Sequence, residues 1–174
     1  MKNIIFLYLL LTVTMFAQNE KSYTYFDDKS GKECLIGDCD RTAFYDTAYS
    51  IWFDAEYEEY VVDTESIGAL KELLKDVNIK IIMATWCSDS RREVPRLYKI
   101  MDAINFEADK VTCVNVNREK KGIANETDGL DIKFVPTIIL LKAGKEIGRV
   151  IESPVQSLEK DMIGFFNITK EEGQ

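Results

Sequence analysis

Ile79-Lys80-Ile81-Ile82-Met83-Ala84-Thr85-Trp86-Cys87-Ser88-Asp89-Ser90 changes character at its midpoint. Ile79 to Met83 is a short apolar run suited to a buried strand. Beyond Cys87 the apolar residues recur at helical spacing, with Val94, Leu97, Tyr98, Met101 and Ile104 on one face. The cysteine therefore stands where a strand ends and a helix begins. A thiol there faces unpaired backbone N–H groups and the positive end of the helix dipole, both of which favour its charged, nucleophilic form. Ser90, three residues on, is expected to offer its hydroxyl to the sulfur. Asp89 opposes a negative sulfur, and Arg91 and Arg92 partly offset that repulsion.

Downstream, Val111 to Val116 predicts a second buried strand containing Cys113, which reads as a protected thiol. Phe134 to Leu141 and Glu146 to Ile151 predict strands joined by a hairpin turn at Lys142-Ala143-Gly144-Lys145. Ser153-Pro154-Val155-Gln156 has the form of a helix start, with Ser as N-cap and Gln closing a capping box, and Leu158, Met162, Phe165 and Phe166 supply an apolar face. Upstream, Ile67, Leu70, Leu73 and Leu74 mark a helix. Before Asp63, Phe44, Ala48 and Trp52 form one helical row and Tyr45, Tyr49 and Phe53 its neighbour, predicting an aromatic-faced helix packed as core. The order from Asp63 is helix, strand, helix, strand, loop, hairpin, helix. That order is an α/β sandwich with two parallel strands and an antiparallel pair.

Composition narrows the chemistry. The chain of 174 residues carries 30 acidic against 22 basic residues, a formal charge of -8, which opposes attraction to nucleic acid or anionic lipid. There are 0 histidines, which removes His-based triads, His general bases and His-ligated metal together. No metal and no cofactor is expected. The leader, Met1 to Ala17, has one lysine, an apolar stretch from Ile4 to Phe16 and a small residue at Ala17. It predicts a signal peptide, with retention as an uncleaved anchor as the alternative because Met15 is large for its place. An exported protein, periplasmic or secreted, is expected, with no membrane association beyond export. In that oxidising setting Cys34 and Cys39 are expected to close a small structural disulfide; the alternative is that one of them exchanges electrons with Cys87.

Trp86-Cys87-Ser88-Asp89-Ser90, Pro95 eight residues after the cysteine, and Val135-Pro136-Thr137 before the hairpin together resemble the thioredoxin-like superfamily, over roughly residues 63–167. The resemblance is to exported members with a single-cysteine CxxS motif. It implies a three-layer α/β/α sandwich with a mixed sheet, in which residues 63–174 form the domain and 18–62 a helical N-terminal extension packed on it, after the leader at 1–17. It also implies a cis peptide before Pro136, placed beside Cys87, with Trp86, Val135, Pro136 and Thr137 lining a peptide-binding groove. Two departures bear on mechanism. Ser90 stands where reducing members carry a second cysteine, and Ile81 where they carry a buried carboxylate. Cys87 can form a mixed disulfide, but release requires Cys34, Cys39, a small thiol or another protein. The expected function is thiol–disulfide exchange on protein or peptide clients, with an external reductant; the alternative is a redox-silent module that binds peptides in the same groove.

Overall fold

In the computed structural model, which describes residues 22–171, the run at Ile79 to Met83 is the middle of the sheet. The strands are β1 (Ser22–Asp27), β2 (Lys32–Cys39), β3 (Val77–Met83), β4 (Val111–Asn115), β5 (Thr137–Lys142) and β6 (Lys145–Ile151), and the helices are α1 (Thr47–Glu59), α2 (Thr64–Leu73), α3 (Ser88–Ala103) and α4 (Leu158–Glu171). The strands form one sheet in the order β1-β2-β4-β3-β5-β6. Only β3 and β4 run parallel; the other neighbours are antiparallel. This is the mixed-sheet α/β fold expected of a thioredoxin-like chain.

Strand β3 is hydrophobic without alternation because both its faces are covered. Val77, Ile79, Ile81 and Met83 join the large core with residues from all four helices, including Phe53, Leu70, Leu97 and Met162. Ile82 and Ala84 pack on the other face with Val114, Val116 and Val135, against Leu130 and Ile132. That outer layer is irregular: the connection 117–134 carries no helix, and the Lys80 ammonium ties it down by donating to the Glu126 carbonyl at 3.3 Å.

Local signals explain the boundaries. Asp63 caps α2 by accepting from Glu65 N–H, and the β5–β6 turn places Ala143 and Gly144 at φ 50° and 76°, a two-residue turn whose twist suits a hairpin. Helix α4 begins later than its sequence signal. Ser153 to Gln156 form a bend whose Val155 and Gln156 N–H groups donate to the Asp161 carboxylate, and Ser157 receives Lys160 N–H instead.

Before α1 the structure departs from the sequence reading. Residues 22–39 are a hairpin, turned through Asp28-Lys29-Ser30-Gly31, and β2 extends the central sheet by pairing with β4. The aromatic helix is interrupted at Asp46, which caps α1 by accepting Ala48 N–H, while Phe44 belongs to a preceding 3₁₀ turn, Arg41–Tyr45. The buried set is Phe44, Tyr49 and Phe53, with Tyr45 and Ala48 exposed. Phe53 stacks on Phe44 at 5.2 Å between centroids and meets Tyr98 of α3 at 5.8 Å. The Cys34–Cys39 disulfide does not form; all four cysteines are free thiols. Five residues apart on one extended strand, their Cα atoms lie about 16 Å from each other, against the roughly 6 Å a disulfide spans.

No helix among the described residues is long and apolar enough to cross a membrane. The leader lies outside the described residues.

Candidate active site

The end of β3 fixes Cys87. The Cys87 N–H closes a turn onto the Ala84 carbonyl at 3.0 Å, and the Cys87 carbonyl accepts from Arg91 N–H at 3.1 Å as the first bond of α3. Cys87 thus occupies the N-cap position, with extended backbone. Its sulfur, however, makes no capping bond to the first helical turn. The thiol donates across the site to the Val135 carbonyl at 3.1 Å, immediately before the Val135–Pro136 peptide, which is cis. Cys87 and the proline loop are therefore in contact, although residues 88–134 separate them in the chain.

Ser90 is fully buried and turned inward. Its Oγ accepts the Ala84 N–H at 3.2 Å rather than approaching the Cys87 sulfur, so the expected hydroxyl–sulfur bond is replaced by a brace across the loop. Thr137 does likewise on the other side: 2% exposed, it donates to the Phe134 carbonyl at 2.8 Å and stiffens the turn around Pro136. Val135 and Pro136 are buried, whereas Phe134 beside them is 51% exposed and presents an aromatic face to solvent. Ile81 is fully buried and pairs in register with Cys113 and Ile138, so no acid lies beneath the site at that position.

Trp86 is held at its edge and over its face. Its indole N–H donates to the Val116 carbonyl at 3.0 Å, and the Arg118 guanidinium lies 4.2 Å over its ring. Arg118 in turn is clamped by both oxygens of Asp27, at 2.9 and 2.7 Å. Those bonds hold the Asp27 carboxyl well below the usual carboxylate range, against the opposing effect of its burial, with Ser30 adding a further bond. The hairpin also reaches the loop directly, because Leu35 N–H donates to Thr85 Oγ1 at 3.0 Å with both residues buried. Cys34 shares a pocket of about 280 Å³ with Tyr49, Thr85, Trp86 and Arg91. Cys39 lies at the far end of β2, opposite Cys113.

The structure therefore brings together Trp86, Cys87, Val135 and Pro136 as expected neighbours, with Ser90 and Thr137 as internal braces. Sequence reasoning missed Thr85, Asp27 and Arg118. Only long-range pairing unites them, and the signal that could have found them was the hairpin turn at Asp28 to Gly31. Arg92, expected to offset Asp89, joins it at 2.9 Å; the unforeseen part is its donation to the Ser153 hydroxyl at 2.6 Å, which fastens the start of α3 to the segment after β6.

No protein-family profile matches the chain. A thioredoxin-like protein of Acanthamoeba polyphaga mimivirus is 27% identical over 106 residues, covering 61% of this chain and 74% of that one. Among solved structures, a Pseudomonas aeruginosa protein of unknown function superposes with a TM-score of 0.51 at 14% identity, covering 76% of this chain and 92% of that one, a likeness of fold. The chain is thus similar to a thioredoxin-like protein over part of its length, and its mixed sheet agrees with a thioredoxin-like fold.

Proposed function

We propose that this protein exchanges thiols and disulfides on peptide or protein clients through Cys87, and that an external thiol completes each cycle. The observation that carries the reading is the contact of the Cys87 sulfur with the Val135 carbonyl at the head of α3, which puts a half-buried thiol against the proline loop. In the first step the Cys87 thiolate attacks a client disulfide, forming one sulfur–sulfur bond to the client and expelling the client's other sulfur as a thiolate. A second thiol must then attack that mixed disulfide, freeing Cys87 and carrying the client sulfur away as a new disulfide. Ser90 cannot supply it, since a buried hydroxyl engaged by Ala84 N–H is no nucleophile toward sulfur. Cys39 is separated from β3 by β4, roughly two strand spacings or 10 Å, and sits level with Ile81. The leader supports a protein that works outside the cytoplasm.

One observation favours a second reading, a redox-silent peptide-binding module: the Cys87 thiol is already engaged inside the groove, donating to the Val135 carbonyl. Alkylation of the folded protein, with mass spectrometry of each cysteine, separates the two. Exchange chemistry predicts Cys87 as the fastest-reacting thiol, with Cys34 and Cys113 protected by burial. The second reading predicts Cys87 no faster than a thiol in the unfolded chain.

A further inference from the structure

A second thiol site lies on the sheet away from Cys87. Cys39 and Cys113 are direct partners in the antiparallel register of β2 and β4, so their side chains leave the sheet on the same face. Directly opposed antiparallel residues stand about 4.5–5.5 Å apart, within the Cα separation a disulfide spans. The Cys39 thiol beside it, together with burial, raises the Cys113 thiol well above its ordinary range.

Asn115 makes the arrangement specific. It is fully buried, its amide Nδ2 donates to the Cys39 sulfur at 2.9 Å, and its Oδ1 has no partner. A buried amide is costly in a sheet interior unless its donors are used, and here the donor faces a sulfur. An N–H so placed fixes the Cys39 sulfur in position on the face it shares with Cys113. Cys39 is also the accessible member of the pair, opening with Cys113 onto a cleft of about 470 Å³ lined by Ser22, Asp38, Asp40 and Thr42.

From these positions we infer that Cys39 and Cys113 form a redox-active pair that closes to a disulfide by reaction with a small cationic disulfide. Cys39, as thiolate, attacks the reagent, forming a mixed disulfide and expelling one half as its thiol. Cys113 then attacks the Cys39 sulfur, forming the Cys39–Cys113 bond and expelling the other half, with the two protein thiol protons ending on the two released thiols. The pair is oxidised by two electrons and the reagent reduced by two. Asp38 and Asp40 at the mouth favour a positively charged reagent over an anionic one. The bond would fasten β2 to β4 where only Gly37, Asp38 and Cys39 are in register with β4, and so anchor the hairpin that supplies Leu35 to Thr85 and Asp27 to Arg118.

The test is incubation of the full chain and its Cys87→Ser variant with cystamine, followed by intact mass and a non-reducing peptide map. The expected result is loss of two hydrogens and a linked Cys39–Cys113 peptide in both proteins, with slower amide exchange throughout β2. Cys39→Ala and Cys113→Ala should each abolish the link, circular dichroism establishing that they fold. A stable cysteamine adduct on Cys39 without closure, a link from Cys39 to another cysteine, or free thiols at both positions in folded protein would overturn the inference. Because Cys87→Ser retains the pair, failure here is distinguishable from failure of exchange at Cys87.

Discussion

Thr85→Val deletes one hydrogen-bond acceptor while leaving side-chain shape nearly unchanged. Thr85 Oγ1 is the partner of Leu35 N–H at 3.0 Å, and both residues are 7% exposed, so water cannot readily replace the lost acceptor. Stranding a buried backbone donor costs about 1–3 kcal/mol, and the added buried methyl returns somewhat less than about 1 kcal/mol, leaving a net loss of up to about 2 kcal/mol. For a chain of this size that is a fall in Tm of up to about 8 °C. Thermal and urea unfolding give the total, and hydrogen exchange gives its origin. The Leu35 amide should exchange faster in Thr85→Val, by up to about 30-fold, the population change such an energy implies. Thr85→Ser keeps the acceptor and loses a methyl, so it should lower stability while Leu35 stays protected. If Thr85→Val were as stable as wild type, with Leu35 still protected, the hairpin would not be what holds the loop before Cys87.

Other expectations follow from the same contacts. Ser90→Cys puts a second thiol within the first turn of α3 and should confer dithiol reductase activity on a model protein disulfide, read against Cys87→Ser as blank; equality with the blank refutes it. The gain should be partial, because Ile81 leaves no acid under the site. Asp27 is held below its unfolded-state value by Arg118, so its contribution is complete above that value, about pH 4, and disappears as pH falls through the lower folded value. Urea unfolding followed from about pH 5 to about pH 2 should therefore show an acid loss of stability that Asp27→Asn reduces, and an unchanged slope contradicts this. Phe53→Ala, at the centre of the aromatic stack, should cost about 3–5 kcal/mol by thermal unfolding; a loss under about 1 kcal/mol would mean that the stack is not core.

The sheet's centre was legible because its signals are local. Ile79 to Met83 is apolar on both faces, Cys87 marks the strand-to-helix change, and Ala143-Gly144 sits in a turn requiring positive φ. The contact of Cys87 with Val135 was reachable only through the resemblance, since no periodicity links residues so far apart. Strands β1 and β2 were missed for a physical reason. Both lie toward the sheet's edge and mix exposed with buried positions, so their apolar pattern is weak, and the spacing of Cys34 and Cys39 invited a ring where the backbone is extended. Ser90 illustrates the limit within the site itself. Its place in the helix is readable, but its partner is Ala84 N–H, selected by the turn that precedes the helix.

In the proposed exchange Cys87 captures a client sulfur and cannot release it unaided. The direct measurement is to mix reduced protein with a disulfide-bonded peptide, without added thiol, and to follow the covalent adduct by non-reducing mass spectrometry. The expected result is an adduct mapped to Cys87, stable until a small thiol is added and absent in Cys87→Ser. No adduct at Cys87, or free turnover of the peptide disulfide with no external thiol, would contradict it.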